Sequence, residues 1–159
     1  AKCLIGEVEL ETEPSSSSIH LPVSPFVVNL NSINIAQLIA SVNIPQGSYN
    51  KIKFQIHKPE DNETPPDPEF KTGNSGNQRF SVIIKGTYNG NSFIYRSRKS
   101  VNLVFSLNDL LTVGQNSRNL TVLTNPSQWF INNGSVIDPG NTSFENMIDD
   151  NIKNSFNRN

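Results

Sequence analysis

Apolar and polar positions alternate with a period of two along most of this chain, the pattern of strands with one buried face. Over residues 4–11, Val8 and Leu10 oppose Glu7, Glu9 and Glu11, which predicts a strand with one wet face that tolerates a sheet edge. Phe26, Val28 and Leu30 alternate with Val27 and Asn29. The cleanest example places Ile52, Phe54 and Ile56 on one side and Lys51, Lys53, Gln55 and His57 on the other. Val101, Leu103, Phe105 and Leu107 predict a further strand, and residues 119–123 another. Residues 33–42 are ambiguous. Ile35, Leu38, Ile39 and Val42 fit a helical period, while the β-branched content favours a strand or a helical turn leading into one.

Turn chemistry sets the registers. Ile44-Pro45-Gln46-Gly47 suits a type I turn, with Pro second and Gly fourth. Tyr88-Asn89-Gly90-Asn91 carries the Asn-Gly pair of a type I′ hairpin. That turn places 88 opposite 91, 86 opposite 93, 84 opposite 95 and 82 opposite 97. Val82, Ile84, Phe93 and Tyr95 then share one face, with Phe93 lying over the bare backbone of Gly86. Ile83, Lys85, Thr87, Ile94, Arg96 and Arg98 share the other.

The period changes only near the C-terminus. Asn125-Pro126 predicts a capped helical turn carrying Trp129 and Phe130. Asn133-Gly134 and Pro139-Gly140 are turns. Thr142 and Glu145 have the spacing of a capping box. The helix after them puts Phe144, Met147, Ile148, Ile152 and Phe156 on one stripe, with Glu145, Asp149, Asp150 and Lys153 facing out. The expected fold is mainly β: a single domain, an antiparallel β-sandwich of seven or eight strands with a C-terminal amphipathic α-helix.

Composition agrees with this reading. Among 159 residues there are 23 Asn and 19 Ser but only 3 Ala, while Val, Ile and Thr number 34. Turn formers and strand formers thus outweigh helix formers. The single cysteine, Cys3, excludes an internal disulfide, and its expected state is a buried thiol. Low charge with much Asn and Ser suits an exported protein.

The formal net charge of -1 conceals a segregation. Residues 1–69 hold nine acids and four bases, net -5. Residues 70–108 hold six bases (Lys71, Arg79, Lys85, Arg96, Arg98, Lys99) and no acid, net +6. Residues 109–159 hold five acids and three bases, net -2. Within the acidic part, residues 58–76 contain Pro59, Pro65, Pro66 and Pro68 among five acids. Prolines block sheet pairing and like charges repel, so a mobile, exposed and extended acidic loop is expected there.

Catalytic signatures are missing. His20 and His57 stand 37 residues apart, and no His, Cys or acid spacing resembles a zinc site. No nucleophile elbow, phosphate-binding glycine loop or dinucleotide fingerprint occurs. Glu60, Asp61, Glu63 and Asp67 lack the ordered spacing of a calcium loop. The sequence therefore predicts no enzyme, no cofactor and no metal. The one candidate site is the basic hairpin face of Lys85, Arg96 and Arg98, suited to an anionic glycan or an acidic patch on an envelope protein. It lacks interleaved exposed aromatics, so nucleic acid is not an expected partner.

Pro45-Gln46-Gly47-Ser48-Tyr49 followed by Ile52, then Trp129-Phe130, Ile137-Asp138-Pro139, Asn151-Ile152 and Ser155-Phe156, resemble in order and spacing a family of bacterial cell-envelope lipoproteins of unknown function. The Pro-Gly-Tyr step also occurs in transthyretin-like β-sandwich modules of surface proteins. The resemblance implies an exported protein of the periplasm or outer surface, touching the membrane only through a lipid anchor. The expected role is non-enzymatic, binding or structural; the alternatives are a subunit of an adhesive or fimbrial assembly, pairing through an edge strand such as 4–11, a carbohydrate-binding module, or a carbohydrate-active enzyme if two carboxylates face each other. Family members often continue into a calcium-loop-like stretch, and none of it falls on the residues up to Asn159.

Overall fold

The computed structural model describes residues 1–12, 17–23, 25–30, 43–114 and 121–158. The segment of mixed period at 33–42 lies outside them. Among the described residues the chain is mainly β, with antiparallel pairing throughout and one C-terminal α-helix. Seven strands are hydrogen-bonded as one sheet: β1 (Lys2–Thr12), β2 (Ser18–His20), β3 (Phe26–Asn29), β4 (Gly47–Ile56), β5 (Val82–Tyr88), β6 (Asn91–Ser97) and β7 (Val101–Val113). Near the C-terminus β8 (Val122–Leu123) pairs with β11 (Asn157–Arg158), and β9 (Ile131–Asn132) with β10 (Ser135–Val136). Between these pairs lies the helix α1 (Glu145–Asn154).

The strand expected at an edge is the axis of the sheet. At Lys2, β1 pairs with Asn29 of β3 and with Ile83 of β5; at Leu10 it pairs with Ile19 of β2 and Ile52 of β4. It is therefore occupied on both edges, and 4–11 offers no edge to a neighbouring subunit. The misleading feature was its row of glutamates. Glu9 and Glu11 lie across from Lys53 and Lys51 of β4, with Nζ–Oε1 distances of 3.1 and 2.6 Å. The acids are one rail of a cross-strand charge ladder rather than an edge guard. Between Ile5 and Glu7 the register shifts at Gly6. A Cβ on Gly6 would stand 2.7 Å from His57 Cβ, so only glycine lets the two segments approach this closely.

The hairpin matches its expectation position by position. Tyr88 pairs with Asn91, Gly86 with Phe93, Ile84 with Tyr95 and Val82 with Ser97. Asn89 and Gly90 take the positive φ values of 48° and 80° that the tight turn demands. Phe93 covers Gly86 so closely that a Cβ there would be 2.8 Å from its ring. Behind the hairpin, one core gathers Cys3, Ile5 and Leu10 from β1, Ile52 and Ile56 from β4, Val82 and Ile84, Leu103, Trp129, and Ile148 and Ile152 from α1. Phe93 and Tyr95 meet Phe130 edge to face at 5.4 and 5.9 Å, joining hairpin to C-terminal segment.

Two expectations about the rest of the surface change. Residues 58–76 do not form an exposed, extended excursion. They fold back on the outer face of the sheet through a 3-10 turn at Pro68–Phe70, and Phe70 is fully buried against Leu4 and Ile83. Pro59 and Pro65 are also buried. The outer face of β1 and β5 thus carries a second small core, which is why Leu4 and Ile83 are buried although their neighbours face the main one. Further on, the capping box at Thr142 is not used. Asn141 caps a 3-10 turn at Thr142–Phe144 by accepting the Ser143 N–H at 3.0 Å, and that turn runs directly into α1. Asp149, expected to face water, is buried.

Candidate functional site

β5 and β6 set the positions of the predicted basic residues. Lys85 lies directly across from Ile94, and Arg96 follows two positions later on the same face of β6. Lys85 and Ile94 are each about half exposed, and the Arg96 guanidinium stacks on the Phe80 ring at 5.5 Å. These two cations and the exposed Ile94 between them form one block. Arg98 does not join it. Past the end of β6 it turns toward α1 and pairs with Glu145, Nη2 to Oε1 at 2.6 Å. The pleat that should have carried it to the outer face ends at Ser97, which is buried.

The acidic segment borders this block. Glu69 bridges Lys2 at 2.5 Å and Lys85 at 2.6 Å, and Lys2 also pairs with Asp67. Hydrogen bonds from Lys2 and then Lys85 hold the Glu69 carboxyl down to about 2. Lys71 turns inward, its ammonium donating to the backbone carbonyls of Glu60, Asp61 and Glu63 at 3.3, 2.7 and 2.8 Å. It lines an open pocket of about 330 Å³ with Glu63, Thr64, Pro65 and Asn74. Two ion pairs, Lys85 with Glu69 and Arg79 with Asp61, join the basic stretch to the acidic one. Sequence reasoning missed Lys2 and Glu69; the segregation of charge pointed toward the Glu69–Lys85 pair, and nothing in the local sequence pointed to Lys2.

No protein-family model, curated protein or solved structure matches the chain. The residues that carried the family resemblance are nonetheless legible in structural terms. The Tyr49 hydroxyl, fully buried, donates back to the Pro45 carbonyl at 2.7 Å and clasps the entry to β4. Trp129 donates through Nε1 to Ser155 Oγ at 2.6 Å, and Asn151 donates to the carbonyls of Trp129 and Ile131 at 3.1 and 2.9 Å. Ile137 N–H bonds the Phe130 carbonyl at 2.9 Å, and Asp138 caps the turn at Gly140. Apart from the Tyr49 clasp, these bonds tie the C-terminal segment to itself.

The remaining chemically capable side chains are also engaged in the fold. His57 Nε2 meets Glu63 Oε2 at 2.5 Å. Cys3 is the expected buried thiol, pushed up to about 12 by that burial and so poorly nucleophilic. The Tyr95 hydroxyl donates to buried Asp149 at 2.8 Å, and burial first, then the carboxylate, pushes the phenol well above its ordinary range. Among the described residues no three His, Cys, Asp or Glu side chains gather as a metal site, and no helix is long and apolar enough to cross a membrane.

Proposed function

We propose that this protein is a non-enzymatic module of the cell envelope, exported to the periplasm or outer surface, that binds an acidic segment of an envelope protein. The block of Lys85, Ile94 and Arg96 on the outer hairpin face carries this reading. Arginine beside an exposed aliphatic side chain is the composition of an interface centre, and Lys85 already holds a peptide carboxylate, that of Glu69. The envelope location rests on the sequence resemblance and on the composition.

The test uses polyglutamate as the probe, at low and moderate salt. Binding should weaken with salt and fall about tenfold in a Lys85→Glu/Arg96→Glu double variant, since each reversal replaces an attraction worth up to ~1 kcal/mol with a repulsion. Reversing Arg98, which faces α1, should leave it unchanged. Equal binding by the double variant would discard the site. Binding of a heparin oligosaccharide without binding of polyglutamate would replace the protein partner by a sulfated glycan.

A further inference from the structure

A second cationic site lies apart from the hairpin face, beside Gly76. Gly76 is exposed within the 3-10 turn Gly76–Gln78. A Cβ built on it would have only two atoms within 4 Å beyond its own chain neighbours. They are Arg79 Nη2 at 3.6 Å and Lys58 Nζ at 4.0 Å. Two cationic nitrogens from separate segments therefore converge on one gap that the missing side chain leaves open.

Arg79 is held by the fold, and Lys58 is partly buried. Arg79 is almost buried; its Nη1 donates to the Pro59 carbonyl at 2.9 Å and pairs with Asp61 at 2.7 Å. That leaves Nη2 directed at the gap, and Nε buried with no partner, so the protein does not saturate this guanidinium. Lys58 is pinned through its backbone N–H to Ser100 Oγ at 3.0 Å, and its ammonium has no carboxylate partner among the described residues. Asp61, which pairs with the other guanidinium nitrogen, is mostly exposed, so solvent screens its repulsion of an incoming anion.

We propose that Gly76, Arg79 and Lys58 form a binding site for a single oxyanion group, sulfate or phosphate. An oxygen close to the vacant Cβ position would stand 3.6 Å from Arg79 Nη2, and the flexible stem of Lys58 can bring Nζ in from 4.0 Å, so that charge-assisted hydrogen bonds of ~2.8 Å come within reach. The group would be free inorganic anion or the terminal sulfate or phosphate of a larger envelope ligand.

Gly76→Ala is the sharpest probe. It keeps both cations and the net charge, meets its neighbours at ordinary contact distances, and fills the gap. The backbone amide of Gly76 is followed by NMR as sodium sulfate or sodium phosphate is added to the full chain against sodium chloride of equal ionic strength. The wild-type resonance should shift saturably with sulfate or phosphate, with acetate weaker. Affinity should fall roughly tenfold in Gly76→Ala and in Lys58→Met, the size expected for one charged hydrogen bond. Lys99→Met, which removes a cation from the other side of the hairpin, should bind as wild type. Wild-type affinity in Gly76→Ala, or no saturable shift above chloride in the wild type, would overturn the site. Each variant's amide spectrum outside 58–79 shows whether it has kept the fold.

Discussion

Glu69 holds two ammonium groups at once, and this makes it the residue whose ionisation matters most to the outer surface. Its carboxyl sits near 2 in the folded chain, against roughly 4.3 when unfolded. A depressed carboxylate contributes stability that is fully present above the unfolded value and is lost as pH falls through the folded one. The urea midpoint of wild type should therefore exceed that of Glu69→Gln at pH 7, and the gap should close between about pH 4.3 and pH 2. A gap that is the same at pH 7 and at pH 2 would show that the amide loses something other than charge. At this scale the sequence was readable where one rule governed. Asn89, Gly90 and Phe93 sit where the turn required. Arg98 was misplaced because alternation was carried one residue beyond the end of its strand. Asp149 was misplaced because helical periodicity does not know that Tyr95 waits opposite with a hydroxyl.

Elements were predicted best where local and tertiary demands agreed. β4, β6 and the apolar stripe of α1 each present the face that periodicity assigns them. β1 and β5 present buried residues on both faces because Leu4 and Ile83 are covered by Phe70, a contact between distant segments that no window of the sequence contains. The join between hairpin and helix depends on a comparably distant contact. Tyr95 Oη donates its one proton to Asp149 at 2.8 Å and lies 3.1 Å from the Glu145 carbonyl, with Lys99 Nζ 3.6 Å from the same aspartate. Tyr95→Phe keeps the ring packing on Phe130 and deletes the hydroxyl. It should cost about 1–3 kcal/mol in chemical denaturation, the penalty of leaving a buried acceptor short of its donor. A loss below the error of the measurement would mean that water replaces the hydroxyl and that the Tyr95–Asp149 bond adds nothing net to the join.

Over the whole molecule, an acidic stretch and a basic stretch are folded against each other, and the resulting wall of residues 58–76 frames both cationic sites. Lys85 and Arg96 lie at one border of that wall, and Lys58, Gly76 and Arg79 within or beside it. If the segment were a loose tether, the site of Lys58, Gly76 and Arg79 would have no fixed geometry and Lys85 would lose its bond to Glu69. Amide hydrogen exchange addresses this directly. The Phe80 N–H is bonded to the Phe70 carbonyl at 2.8 Å, and the Lys71 N–H to the Pro68 carbonyl at 3.1 Å. Both amides should exchange far more slowly than unstructured chain, the Phe80 amide approaching the protection of β5, and Phe70→Ala should strip that protection while β4 and β7 keep theirs. Exchange of these two amides at the rate of unstructured chain in the wild type would contradict the docked wall, and with it the site of Lys58, Gly76 and Arg79.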